Sequence, residues 1–258
     1  MGKKIVLCNC GGERISSERL YAIEQELVKS NVDVIKISDL CRMAALYKER
    51  LCEVFKNDDE YLVIGCYSRT MKLLIDQAEP AITSDNLNFV NFLESTNEEI
   101  SGIVSESSLN SAQTGSFEEV ATPSDWPSWF PVIDYSRCTA CGQCADFCLF
   151  GVYDKTPDRV TVTNPQGCKY NCPACARICP QTAIIFPKYK VGGAIGGSDF
   201  IDEISEQKRQ ADDVNTILGG DIYLALEKRK LKRRSIIMEE AMNKAIEERT
   251  KALKNKNI

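Results

Sequence analysis

The sequence predicts an α/β amino-terminal domain with a parallel sheet built from βαβ units, then a smaller α+β domain, then a helical carboxy-terminal tail. Three observations lead there. Over residues 3–95, short β-branched runs alternate with amphipathic stretches. Between residues 138 and 179, eight cysteines fall in two runs of four. Beyond a glycine-rich stretch at 192–197 the chain becomes strongly charged, with apolar residues at helical spacing. The resulting divisions are a domain at 1–95, a linker at 96–131, a cysteine-rich domain at 132–190, and a glycine loop with charged helical tail at 191–258.

Lys4-Ile5-Val6-Leu7 reads as the first strand. Ser17 reads as a helix N-cap with Glu18 in the first turn, and Leu20, Ile23 and Leu27 make a stripe at helical spacing. A strand over 32–37, a helix over 42–56, a strand over 61–64, a helix over 68–78 ending before Pro80, and a strand over 87–93 complete the pattern. This alternation implies a doubly wound parallel sheet. In such a sheet the carboxyl ends of the strands share one edge, where ligands bind. Cys8 and Cys10 follow the first strand, Cys41 the second and Cys66 the third, so these four thiols are expected to converge. Cys52, mid-helix beside Leu51 and Phe55, reads as a small buried hydrophobe. On these residues alone, a metal centre, a dithiol redox pair at Cys8 and Cys10, and plain buried thiols all stay open.

Residues 96–125 are rich in Ser, Asn, Thr and Glu and read as a linker or extended surface segment. Trp126-Pro127-Ser128-Trp129-Phe130-Pro131 follows as a dense apolar cluster. It is expected to cover the cysteine-rich domain or seal it to the first; anchoring a partner protein is the alternative. Within that domain Val132-Ile133-Asp134 and Ile184-Ile185-Phe186 read as an outer strand pair, and Val152-Tyr153 with Val160-Thr161-Val162 as a central hairpin. The run Gly192-Gly193-Ala194-Ile195-Gly196-Gly197 does not match a G-x-G-x-x-G dinucleotide fingerprint and reads as a flexible loop or hinge.

In the tail, Leu224, Leu231, Met238, Ala245 and Ala252 recur every seven residues, but the companion positions Lys228, Ser235 and Arg249 are polar. One apolar seam without its second half does not make a coiled coil. From Glu227 to Ile258 there are 11 basic and 5 acidic side chains. The helical segment at about 220–258 is expected to dock on an acidic partner and not to pack on its own chain, with Leu231, Ile237, Met238, Met242 and Ile246 as the buried contact; the alternative is a solvated helix face.

Composition narrows the chemistry. The chain of 258 residues is 43% hydrophobic, enough for about two packed domains. No apolar run approaches the ~20 residues that cross a bilayer. A net charge of −5 argues against nucleic acid. The opening MGKKIVLCNC is charged and then strand-like, unlike a secretory signal, so a cytoplasmic location with reduced thiols is expected. There is no histidine, which removes Ser-His and Cys-His nucleophile pairs, imidazole ligation and the commonest general base. Against that, 13 cysteines offer thiolate ligation and one-electron transfer.

Cys138, Cys141, Cys144 and Cys148 are spaced C-x2-C-x2-C-x3-C, and Cys168, Cys172, Cys175 and Cys179-Pro180 are spaced C-x3-C-x2-C-x3-C-P. Each is close to the spacing by which one loop presents thiolates to a cubane cluster. Zinc knuckles, which use two cysteine pairs per ion, fit this pattern less well. The stretch resembles the bacterial two-cluster ferredoxins, in which the fourth cysteine of each run ligates the other run's cluster. The resemblance implies an α+β ferredoxin-like domain, with Cys138, Cys141, Cys144 and Cys179 on one [4Fe–4S] cluster and Cys168, Cys172, Cys175 and Cys148 on a second. The chain departs by one extra residue between Cys168 and Cys172, and by Leu149 where proline is usual.

The first 95 residues resemble the amino-terminal domain of the heterodisulfide reductase A subunit, a flavin and iron–sulfur protein of anaerobes. The resemblance lies in Val6-Leu7-Cys8-Asn9-Cys10-Gly11-Gly12, in the lone Cys41, and in Val63-Ile64-Gly65-Cys66-Tyr67-Ser68-Arg69. It implies a third cluster on Cys8, Cys10, Cys41 and Cys66. That family's later cysteine is missing; Ser95 and Thr96 occupy the comparable region. The chain has no room for that family's flavin-binding core, so no flavin is expected. The expected function is a cytoplasmic iron–sulfur subunit, non-catalytic itself, that relays single electrons to or from a larger anaerobic oxidoreductase subunit holding flavin or metal. The alternatives are an enzyme reducing a disulfide or similar acceptor at the amino-terminal cysteines, and a cluster-bearing scaffold or assembly protein.

Overall fold

The computed structural model describes residues 2–232 except 11–13, 57–58, 81, 83, 109–114, 124, 219–223, 225 and 229. Strand β1 (Lys3–Cys8) is a nearly continuous apolar run with its last four residues buried, as a central strand covered on both faces requires. It pairs in parallel with β2 (Asp33–Ile37) and β3 (Glu60–Gly65), Val6 facing Ile35 on one side and Val63 on the other. β4 (Leu87–Asn91) adds beside β3 and β5 (Phe117–Val120) beside β2, both parallel, giving the order β4-β3-β1-β2-β5. The parallel α/β expectation therefore holds. Because the chain steps from β1 to β2 and then back across β1 to β3, right-handed crossovers place helices on both faces. The strand order reverses between β1 and β3, where ligand crevices form in such sheets.

Helix α1 (Ser17–Lys29) buries Leu20, Ile23 and Leu27 as its stripe predicts, but Ser16, not Ser17, is its cap, accepting from the Arg19 N–H. The single helix expected over 42–56 is two, α2 (Leu40–Leu46), capped by Asp39, and α3 (Lys48–Val54). The break is at Tyr47, whose φ of −134° and ψ of 49° leave the helical region. Its N–H still bonds Met43 O and its carbonyl receives Leu51 N–H, so the apolar period runs through the break unmarked. α4 (Ser68–Ala78) covers the expected span.

The segment read as a linker at 96–131 instead contains α5 (Asn97–Ser108), which packs on α1, and the edge strand β5. Both are mostly polar: α5 buries little beyond Ile100, Val104 and Ser107, and β5 is largely exposed, which is why composition alone reads as linker. The helix start was nonetheless written in Thr96-Asn97-Glu98-Glu99. Thr96 Oγ1 accepts the Glu99 N–H at 3.2 Å and Glu99 Oε2 accepts the Thr96 N–H at 2.8 Å, a capping box.

In the cysteine-rich part, β6 (Val132–Ile133) pairs antiparallel with β9 (Ile184–Ile185), and β7 (Tyr153–Lys155) with β8 (Val160–Val162), the pairings the sequence suggests. Two short helices, α6 (Gln143–Phe147) and α7 (Ala174–Arg177), each carry the third cysteine of a run. The β6–β9 ribbon is a wall shared by two cores. Paired Val132 and Ile185 are buried in the core of the large sheet, while paired Ile133 and Ile184 face the second core, the period-2 alternation of a strand. Phe130 likewise enters the first core and Trp129 the second, so the 126–131 cluster seals the two parts together.

Polar contacts complete the seal. Arg69 on α4 donates to Asp134 at 2.9 and 3.2 Å. Asp199 accepts the Ser68 and Arg69 N–H groups at 3.3 and 2.5 Å, capping α4 from 130 positions away in sequence. The glycine run expected to be a flexible hinge is a buried 3₁₀ turn at Ala194–Gly196, held by the Thr70 hydroxyl on the carbonyls of Gly196 and Gly197. After it, α8 (Glu203–Leu218) is tied to α7, where Arg177 Nε reaches Asp213 at 3.0 Å. Within the tail, Leu226 is buried against Phe147 and Ile178 of its own chain, which corrects the expectation that residues 220–258 pack only on a partner. Residues 233–258, including Ile237, Met238, Met242 and Ile246, lie outside the described residues.

Candidate metal centres

Two groups of thiols occupy the cysteine-rich part. Cys138, Cys141, Cys144 and Cys179 line one hollow, walled by Ile133, Val160 and Ile184. Cys148, Cys168, Cys172 and Cys175 line another, beside Phe147 and Tyr153. The fourth cysteine of each run thus lies with the other run's first three.

The loops achieve this with one repeated backbone trick. The residue before the second cysteine is left-handed in both runs, Ala140 at φ 55° and Asn171 at φ 59°. So is the residue three past the fourth cysteine, Gly151 at φ 63° and Thr182 at φ 49°. The extra residue between Cys168 and Cys172 is absorbed without breaking this correspondence. Such conformations are costly for residues other than glycine and persist where the surroundings over-determine them.

Burial dominates the electrostatics. It pushes the Cys144 thiol up to about 12, reinforced by Cys179 and Cys141, and the Cys168 thiol up to about 12, reinforced by Cys148 and Cys172. Cys175 rises well above its ordinary value through burial, against a bond from the Tyr153 hydroxyl, which donates to Cys175 Sγ at 3.0 Å. Cys179 is also raised by burial, against the Ala183 N–H that its sulfur accepts at 3.4 Å.

The third group stands at the sheet edge. Cys8 ends β1, Cys10 follows in a left-handed turn at φ 54°, Cys41 lies in the first turn of α2 and Cys66 directly follows β3. All four are at most 5% exposed. Burial pushes Cys8 up to about 12, with the charges of Cys10 and Asp39 adding, and raises Cys41 and Cys66 far above their ordinary value. Each of these last two also feels Cys10, so the four thiols lie within electrostatic reach of one another. Cys10 is raised by burial but pulled down by Lys188. Cys52, by contrast, donates to Ala78 O at 3.4 Å, at the far end of α4 from Cys66, about 15 Å along that helix. Ser95 and Thr96 are engaged elsewhere, Ser95 O accepting from Arg19 and Thr96 capping α5.

These donor sets fit iron–sulfur clusters. All three are sulfur sets; the two in the cysteine-rich part line largely apolar hollows, with a buried indole N–H at Trp129 that has no partner in the same core as Cys168 and Cys175. Among the described residues no three cysteine, aspartate or glutamate side chains close on one point as a single ion requires. A mononuclear zinc gathers its thiolates, whereas a cubane spreads them over separate irons. Burial raises the Cys8 and Cys10 thiols, the opposite direction from the depressed pKa that activates a reactive pair. Sequence reasoning did not find Tyr153 against Cys175, nor Asp39 and Lys188 beside Cys10, nor Arg14, whose backbone N–H and charge both act on Cys10.

Residues 131–151 match the 4Fe-4S binding domain. With the cysteine geometry around it, this match supports a ferredoxin-type iron–sulfur module within the chain that holds at least one [4Fe–4S] cluster. A stretch of 65 residues is 48% identical to an uncharacterized ferredoxin of Methanocaldococcus jannaschii, covering 25% of this chain and 44% of that protein. The chain therefore spans less than half the length of that relative. No solved structure matches it. Among the described residues no helix is long and apolar enough to cross a membrane.

Proposed function

We propose that this chain is an electron-transfer subunit with three [4Fe–4S] clusters, passing single electrons to or from a larger oxidoreductase that holds the substrate site. Cys138, Cys141, Cys144 and Cys179 hold the first cluster, Cys168, Cys172, Cys175 and Cys148 the second, and Cys8, Cys10, Cys41 and Cys66 the third. The observation that carries this reading is that the two cysteine runs line two hollows with their fourth members exchanged, while Cys8, Cys10, Cys41 and Cys66 are buried at the edge of the sheet. A bound cluster supplies one-electron chemistry, at a potential set by hydrogen bonds to its sulfurs, nearby charge and exposure. The chain's own residues supply those settings: Tyr153 bonds Cys175, Ala183 N–H bonds Cys179, and Cys10 N–H bonds Cys8.

Cys168 packs against both hydrophobic cores, so the second group is the one adjoining the amino-terminal domain. Cys141 is exposed, beside Leu224, Leu226 and Lys230 at the start of the tail, so the first group is the exchange point with a partner. The amino-terminal domain serves as a heterodisulfide-reductase-A-like module, and the cytoplasm as the compartment.

Iron and sulfide analysis of anaerobically purified protein tests the count. About 12 irons per chain are expected from three cubanes, and Cys141→Ala should remove about four while leaving the rest. About 8 irons in the wild type would instead leave the amino-terminal thiols free, the outcome expected of the thiol-reductase reading.

A further inference from the structure

Lys188 leaves β9 in the cysteine-rich module, yet its side chain, 1% exposed, lies inside the thiol site of the other domain. Its ammonium donates to Cys10 O at 2.6 Å and stands 3.9 Å from Cys10 Sγ and 3.3 Å from Asp39 Oδ2. Asp39 is pinned from three sides, accepting the Ser128 hydroxyl at 2.8 Å and the Arg42 N–H at 3.3 Å, with the Arg42 guanidinium at 3.7 Å. The backbone on both sides of Lys188 is gripped as well, since Arg14 donates to Pro187 O at 3.2 Å and Tyr189 O at 2.6 Å. Burying an ammonium carries a large desolvation cost, and one carboxylate at ion-pair distance only partly offsets it. The chain nevertheless holds this charge against the loop that carries Cys8 and Cys10.

We infer that Lys188 is a positioning residue of the four-thiol site, clamping the Cys10 loop and raising the potential of the centre bound there. This rests on the reading that Cys8, Cys10, Cys41 and Cys66 hold a cluster. Reduction adds one electron and no proton to a thiolate-ligated centre in a dry site, so negative charge accumulates and a fixed positive charge nearby stabilises the reduced form. Asp39 acts in the opposite sense and sets how much of that stabilisation survives. Because Lys188 belongs to the cysteine-rich module, the amino-terminal centre takes its working potential only when the two modules are docked.

The test uses the full chain, reconstituted anaerobically with iron and sulfide and titrated with dithionite while the centres are followed by electron paramagnetic resonance. The signal lost in Cys66→Ala identifies the amino-terminal centre. Lys188→Met should keep the iron content but make reduction of that centre about tenfold less favourable, ~59 mV lower for a one-electron couple, with the other centres unmoved. Lys188→Arg should stay near wild type, and Asp39→Asn should shift the same centre upward. A merely structural lysine would leave the potential of the iron-loaded centre where it is. An unchanged potential in Lys188→Met overturns the inference, whatever Asp39→Asn does. If Lys188→Met loses iron, Lys188→Gln, which keeps an N–H donor without the charge, is titrated in its place by the same criterion. A wild-type chain with about 8 irons and no signal dependent on Cys66 overturns the underlying third-cluster reading, a different result read before any variant is compared.

Discussion

A hydroxyl 3.0 Å from the Cys175 sulfur is a small contact with a measurable consequence. Tyr153 is buried, its own titration driven well above the ordinary value by burial and then by Cys175, so it stays a neutral donor. A bond to a thiolate withdraws charge from it and eases reduction. Tyr153→Phe should therefore leave the iron content unchanged and lower the potential of the centre held by Cys148, Cys168, Cys172 and Cys175, read by the same potentiometric titration; an unmoved potential would show the bond to be incidental. The cysteines separate at this scale too. Cys66→Ala should cost about one cubane of iron, and Cys52→Ala, which removes only a thiol bonded to Ala78 O, should cost none.

At the scale of elements, the turn at 192–197 shows how a loop becomes a clasp. Gly197 has φ 85°, and a Cβ there would stand 1.9 Å from Thr70 Oγ1 and 3.0 Å from Ile185 Cδ1. Thr70 is fully buried, so neither α4 nor the turn can give way cheaply. Gly197→Ala should destabilise the protein by more than about 1 kcal/mol in thermal or urea unfolding. Adding Thr70→Ala should recover part of that loss, because it removes the steric component and leaves the dihedral one; fully additive losses would mean the clash is not there.

For the whole molecule, the ion pair Arg69–Asp134 ties the sheet domain to the cysteine-rich part. Burial pushes Asp134 up, but the Ser136 hydroxyl and the Arg69 guanidinium outweigh it and hold the carboxyl below its ordinary 3.8. A depressed carboxylate contributes stability that is complete above its unfolded value and lost only as the pH falls through the lower folded one. Arg69→Gln should thus cost roughly 1.5–3 kcal/mol, and the cost should be constant across roughly pH 6–8, measured by urea unfolding. The tail gives a second test. Truncation after residue 232 keeps Leu226 on Phe147 and Ile178, so iron content and spectrum should be unchanged while a partner oxidoreductase no longer copurifies. Full recovery of the partner at physiological salt would move the interface elsewhere.

Much of this could be read without coordinates, for definite reasons. Buried strands such as Lys3–Cys8 are largely apolar runs, and cluster-type cysteine runs are local in sequence, so the parallel sheet, the antiparallel strand pairs and the placing of Cys8, Cys41 and Cys66 at strand ends followed from spacing. The polar α5 and the edge strand β5 did not, since an element that buries few side chains leaves little periodicity; only the capping box at Thr96 marked it. Tertiary structure alone decided how the two parts join. Lys188 meets Cys10 and Asp199 caps α4 across more than a hundred residues, and the glycine run is ordered by Thr70 from another element. Such contacts depend on where folded surfaces meet, and no property of a local window encodes that.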